Sequence, residues 1–120
     1  MFKLMIVVES QIDMLEFEKS WPEFLKLAEQ MPGLRKEAFS PIYARVYGDA
    51  QIAMVHELYF DTPDDLQAAL GSEVGQKAGR KLQQITQGKF SLLFADHLED
   101  ELKNLLTEEP EKQDTEDAES

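Results

Sequence analysis

Apolar residues fall along this chain in six stretches, and their spacing switches between the two-residue period of a strand and the longer period of a helix. Residues 2–8 read as a strand that is apolar on both alternating sets, with Phe2, Leu4, Ile6 and Val8 on one side and Met5 and Val7 on the other. A helix follows. Asp13 with Glu16, and Ser20 with Glu23, each have capping-box spacing. Pro22 suits a first turn better than a helix interior, so a kink or fresh start is expected near Ser20. From there Trp21, Phe24, Leu25, Ala28 and Met31 recur on one face, and Pro32-Gly33 ends the run.

Residues 34–47 read as a second strand interrupted at Pro41, which suits an edge or a bulge. Gly48-Asp49 has turn chemistry. Residues 52–60 form a third strand whose alternation separates Met54, His56, Leu58 and Phe60 from Val55, Glu57 and Tyr59. Thr62-Pro63-Asp64-Asp65 is a helix start: a capping hydroxyl, a proline for the first turn, and carboxylates at the positive end of the dipole. That helix pauses at Gly71, restarts at Ser72, points Val74, Ala78, Leu82 and Ile85 inward, and closes at Gly88. Residues 89–95 make the last strand, with Phe90, Leu92 and Phe94 opposing Leu93 and Ala95. Residues 98–106 have the spacing of a short amphipathic helix, and residues 107–120 are polar enough to be expected to stay disordered.

The order strand, helix, strand, strand, helix, strand is that of the ferredoxin-like β-α-β-β-α-β unit, an α+β fold with a four-stranded antiparallel sheet and both helices on one face. Residues 1–98 make up that domain. The other face meets water unless something covers it, and the first and last strands are apolar on both sides. Soluble monomers avoid large bare apolar patches. A homodimer through the helix-free sheet face is therefore expected, the alternative being a C-terminal helix folded over it.

Charge sharpens this picture. The formal net charge is −12, but residues 99–120 hold 10 acidic and 2 basic side chains, leaving 14 acidic and 10 basic in residues 1–98. A mildly acidic domain without clustered Lys and Arg repels phosphate backbones and anionic bilayers, so neither nucleic acid nor membrane is an expected partner. The chain has no cysteine, which excludes disulfides, thiolate nucleophiles and Cys-type metal sites. The apolar run 4–8 is short for a signal sequence, so a cytoplasmic location is expected. No phosphate-binding glycine loop, nucleophile elbow or HExxH is present.

Three motifs in order, Met31-Pro32-Gly33-Leu34-Arg35, Glu57-Leu58-Tyr59-Phe60-Asp61 and Leu70-Gly71-Ser72-Glu73-Val74-Gly75-Gln76, resemble the EthD family, named for ethyl tert-butyl ether degradation, of the dimeric α+β barrel group. The resemblance covers residues 1–98. It implies a homodimeric barrel and a pocket between sheet and helices, in a group that includes small monooxygenases, isomerases, cyclases and haem-handling enzymes. Many family members carry a His, with Pro two residues on, in the first helix. That His falls at Phe24 or Leu25 here, neither of which titrates.

His56 then becomes the candidate base or ligand, on the same side of its strand as Phe60. It reads equally as a hydrogen-bonded core histidine. Trp21 and Phe24 look like a wall for an apolar ligand and equally like core. With His56 and Phe60 they form the candidate ligand-binding set, for which no cofactor or metal is implied. Glu57, on the opposite face, is expected to pair with Arg45 or Arg35. His97 with the acidic run after it lacks the fixed geometry of a metal site. Three readings follow. One is an EthD-like protein binding a small apolar molecule, acting as a cofactor-independent oxygenase, isomerase or cyclase if it is an enzyme. The others are a non-catalytic ligand-binding or regulatory module, and a haem-handling barrel with His56 as axial ligand.

Overall fold

In a computed structural model that describes residues 1–100, the chain forms β1 (Phe2–Glu9), α1 (Met14–Ala28), β2 (Lys36–Pro41), β3 (Ile52–Phe60), α2 (Pro63–Gly71), α3 (Glu73–Thr86) and β4 (Phe90–Asp96). The strands make one antiparallel sheet in the order β2-β3-β1-β4, the ferredoxin-like arrangement. The core lies between this sheet and the helices. Leu4, Ile6 and Val8 of β1 and Met54, Leu58 and Phe60 of β3 meet Phe17, Phe24, Ala28, Leu66, Ala78 and Leu82 from the helices, and all are buried.

Local chemistry explains the helix boundaries. Asp13 caps α1 by accepting from the Glu16 backbone N–H at 3.2 Å. Thr62 caps α2 by accepting from the Asp65 N–H at 3.0 Å. Ser72 ends α2 and starts α3, donating to the Ala69 carbonyl at 2.6 Å and accepting from the Gly75 N–H at 3.1 Å. Gly75 is required at this junction, because a Cβ there would stand 2.1 Å from the Ala69 carbonyl oxygen.

Two expectations are corrected. α1 is one helix through Pro22, with no fresh start at Ser20. The missing proline N–H costs one bond. Against it, Phe17, Trp21 and Phe24 form a continuous ring stack with centroids 4.9 and 4.8 Å apart. The second strand stops at Pro41 rather than at residue 47. After a last ladder bond from the Ile42 N–H to the Ala53 carbonyl, the chain leaves the sheet as an arm, residues 42–51. Arg45 donates to the Ala50 carbonyl at 3.3 Å across the arm, and Gly48 turns it with φ +95.

The helix-free face is mixed rather than uniformly oily. Met5, Val7 and Val55 are half-buried and Leu93 is half-exposed. One end of the face holds a polar network in which Lys3 and Glu57 pair at 2.8 Å and the Tyr59 hydroxyl donates to Glu57 at 3.0 Å. Glu57 thus takes Lys3, a neighbour across the β1–β3 ladder, in place of the expected arginines. Burial pushes its carboxyl up, but its bonds to Lys3 and Tyr59 hold it net below the ordinary range. His97 joins this network, with Nδ1 3.1 Å from Lys3 Nζ and its ring edge-on to Tyr59 at 4.9 Å. Leu98 to Asp100 have no regular structure. The rest of the expected C-terminal helix, and the acidic tail, lie outside the described residues.

Candidate functional site

Cross-strand register builds the site. Phe39 of β2, His56 of β3 and Ile6 of β1 form one row across the helix side of the sheet. Two positions before Phe39, Glu37 points to that same side, as strand alternation requires. α1 lays Trp21 across this row, the indole perpendicular to the His56 ring with centroids 5.4 Å apart and 6.1 Å from Phe39. Phe39 lies 5.9 Å from His56.

These side chains border two hollows. One, of about 350 Å³, is lined by Trp21, Leu25, Glu37, Ala38, Phe39 and His56. The other, of about 290 Å³, runs from Trp21 and Phe39 toward Met14, Phe17, Pro41 and Met54. The first lies at the lower end of the size range of small-molecule sites and the second just short of it. The two share Trp21 and Phe39, so the pair of rings divides one cleft along the edge of the sheet.

His56 is the polar group on the floor of this cleft. It is 2% exposed, and its Nε2 lies 2.9 Å from Glu37 Oε1. Burial lowers the imidazole to about 4 from an ordinary 6.5, so the ring is neutral near pH 7. Nε2 then carries the proton and donates to the Glu37 carboxylate, leaving Nδ1 as an unprotonated nitrogen, buried and without a partner among the described residues. Glu29, just past the end of α1, has the Glu37 carboxyl as a close acidic neighbour, and this raises the Glu29 carboxyl above its usual range. The cleft therefore has apolar aromatic walls and a single acidic, proton-bearing end.

Of the expected binding residues, Trp21 and His56 line the cleft. Phe24 lies behind them, its ring 6.4 Å from His56. Phe60 is fully buried, in the core beneath Gly33, and does not line it. Glu37 and Phe39 belong to the site without having been expected there. Both sit in the stretch that reads as a second strand, and only the β2–β3 register reveals that they adjoin His56. An axial haem role fits poorly, since Nε2 is engaged by Glu37 and Nδ1 is enclosed. Among the described residues no group of three or more His, Asp or Glu side chains is placed to hold a metal ion, and no helix is long and apolar enough to cross a membrane.

No family model and no curated protein matches this chain by sequence. Solved structures do match. An ethyl tert-butyl ether degradation (EthD) family protein from Bacillus halodurans superposes with a TM-score of 0.75 at 22% identity, over 82% of this chain and 99% of that one. A dimeric ferredoxin-like protein of unknown function from Jannaschia sp. gives 0.62 at 15% identity, over 80% and 98%. SnoaB, a cofactor-independent oxygenase from Streptomyces nogalater, gives 0.60 at 12% identity, over 84% and 95%. The chain is thus a ferredoxin-like α+β domain whose fold is that of an EthD family protein, as the three sequence motifs imply.

Proposed function

We propose that this protein is a homodimer that binds a small, largely apolar molecule in the cleft between α1 and the β2–β3 edge, and that the His56–Glu37 pair recognises a hydroxyl or enol group on it. The observation that carries this reading is the pairing itself. A neutral buried imidazole and a carboxylate, joined at 2.9 Å, form the polar end of a cleft otherwise walled by Trp21 and Phe39. Apolar sites with a few convergent polar groups are the usual form of small-molecule pockets. The Glu37 carboxylate, held in place by the His56 N–H, can take the proton of such a hydroxyl, which leaves Glu37 a neutral acid and the negative charge on the substrate oxygen. Proton abstraction of this kind is the step a cofactor-independent oxygenase, isomerase or cyclase of a catabolic or secondary-metabolite pathway needs, and the fold shared with SnoaB supports that class. The dimeric ferredoxin-like protein from Jannaschia supports the assembly.

A second reading, binding without catalysis, is favoured by one feature: Nδ1 of His56 is enclosed and offers the cleft no free base. A thermal-shift screen of hydroxylated aromatic compounds against amino acids tests the binding claim. Stabilisation by the former, lost in Glu37→Gln and in Trp21→Ala, is expected. No stabilisation by any compound sinks it. Turnover of a bound compound under air, abolished in Glu37→Gln, decides for the enzyme; binding without turnover decides for the second reading.

A further inference from the structure

Trp21 and Phe39 stand where the two hollows of the cleft meet, and their ring centroids are 6.1 Å apart. A group held between two rings needs about 3.5–4.0 Å to each, or roughly 7–8 Å in all. Nothing passes between these rings as they stand. They close the hollow that holds the His56–Glu37 pair off from the one that reaches Met14, Phe17 and Met54.

The two rings are held differently. Trp21 is 8% exposed, stacked on both Phe17 and Phe24 and edge-on to His56. Phe39 is 49% exposed and extends from β2, an outer strand paired on one side with β3. Its ring neighbours among the described residues are Trp21 and His56, both tilted to it rather than stacked. Removing Trp21 would open the core stack, whereas removing the Phe39 ring takes away a partition and little else.

We infer that Phe39 sets the length of ligand this cleft accepts. This rests on the binding reading proposed above and adds a size limit to it. A hydroxyl seated at Glu37 leaves the rest of the molecule in the first hollow, of about 350 Å³. A cavity of about 150 Å³ suffices for benzene, so this space takes roughly two rings, or one ring with a short chain. A longer molecule meets Phe39 and turns out to water, where a further methylene gains nothing. Without that ring the hollows become one. The far end of the ligand then lies along Met14, Phe17 and Met54, which line the second hollow of about 290 Å³.

A ladder of 4-alkylphenols, from 4-methylphenol to 4-octylphenol, tests this. Trp21 is the single tryptophan and borders both hollows, so its emission reports binding. Each buried methylene is worth about 0.8 kcal/mol, roughly a fourfold gain in affinity. In the wild type that gain is expected to stop partway up the ladder. In Phe39→Ala it is expected to continue, so that 4-octylphenol binds on the order of tenfold or more tighter than to the wild type. Phe39→Leu, which keeps an apolar side chain on the strand, is expected to break at an intermediate length. Glu37→Gln is expected to weaken every member alike and leave the break where it was. A wild-type ladder that climbs unbroken overturns the role of Phe39 and leaves the binding reading intact. So do Phe39→Ala and Phe39→Leu ladders that break at the wild-type length. Failure of every phenol to bind overturns both.

Discussion

Ile6 and Leu92 are cross-strand partners on the helix side of one sheet, and so are Leu4 and Phe94. Ile6 and Leu4 are 1% and 2% exposed, while Leu92 and Phe94 are 47% and 60% exposed. The residue types, the strand pattern and the face are alike; only the layer above differs. α1, α2 and α3 sit over β1 and β3, and among the described residues they pack on Phe90 of the outer strand β4 but leave its Leu92 and Phe94 half-exposed. Alternation in a strand thus says which side chains share a face, but not whether that face is roofed.

The largest expected effect tests that contrast directly. Ile6→Ala, which empties a closed site, should cost about 2–5 kcal/mol in urea-induced unfolding. Leu92→Ala, measured at protein concentrations where the chain is monomeric, should cost less than about 0.5 kcal/mol. Equal costs would mean that β4 is roofed after all.

The pH dependence probes the closed side again. His56 is held at about 4 in the fold and titrates near 6.5 when unfolded. Between those values the unfolded chain binds the extra proton, so stability should fall as pH drops from 6.5 toward 4. His56→Phe should flatten that window relative to the wild type. An unchanged slope would show that the imidazole is not held neutral by burial.

The two glycines of α3 sharpen the same comparison at lower cost. Gly75→Ala drives a Cβ into the Ala69 carbonyl and should destabilise by about 1–3 kcal/mol. Gly79 is exposed, and a methyl added there would meet no atom within 4 Å, so Gly79→Ala should stabilise by roughly 0.5–1 kcal/mol. Chemical denaturation of the pair reads both signs. Smallest of all, Lys81→Ala removes an ion pair at 2.8 Å to the exposed Glu23 and should shift stability by less than about 1 kcal/mol.

Much of the fold is legible because it is locally encoded. The caps at Asp13, Thr62 and Ser72 act on backbone groups three residues away, and β3 begins and ends where its alternation does. Pro22 misleads for the opposite reason: a local penalty is outweighed by an aromatic stack that spans the proline and packs on the sheet. The site is half legible. His56 and Trp21 stand out as a mid-strand imidazole and a lone indole, but Glu37 looks like any polar residue of an edge strand. Its role depends on a partner 19 positions away.

The order of elements, their caps, the sidedness of each strand and the acidic character of the C-terminal segment were determined by sequence alone, since each depends on residues within a few positions of one another. Tertiary structure alone decided which apolar faces are covered, that Glu37 meets His56, that Glu57 meets Lys3, and that residues 42–51 leave the sheet as an arm. These rest on strand register and on where helices come to lie, contacts between distant parts of the chain that no local pattern specifies.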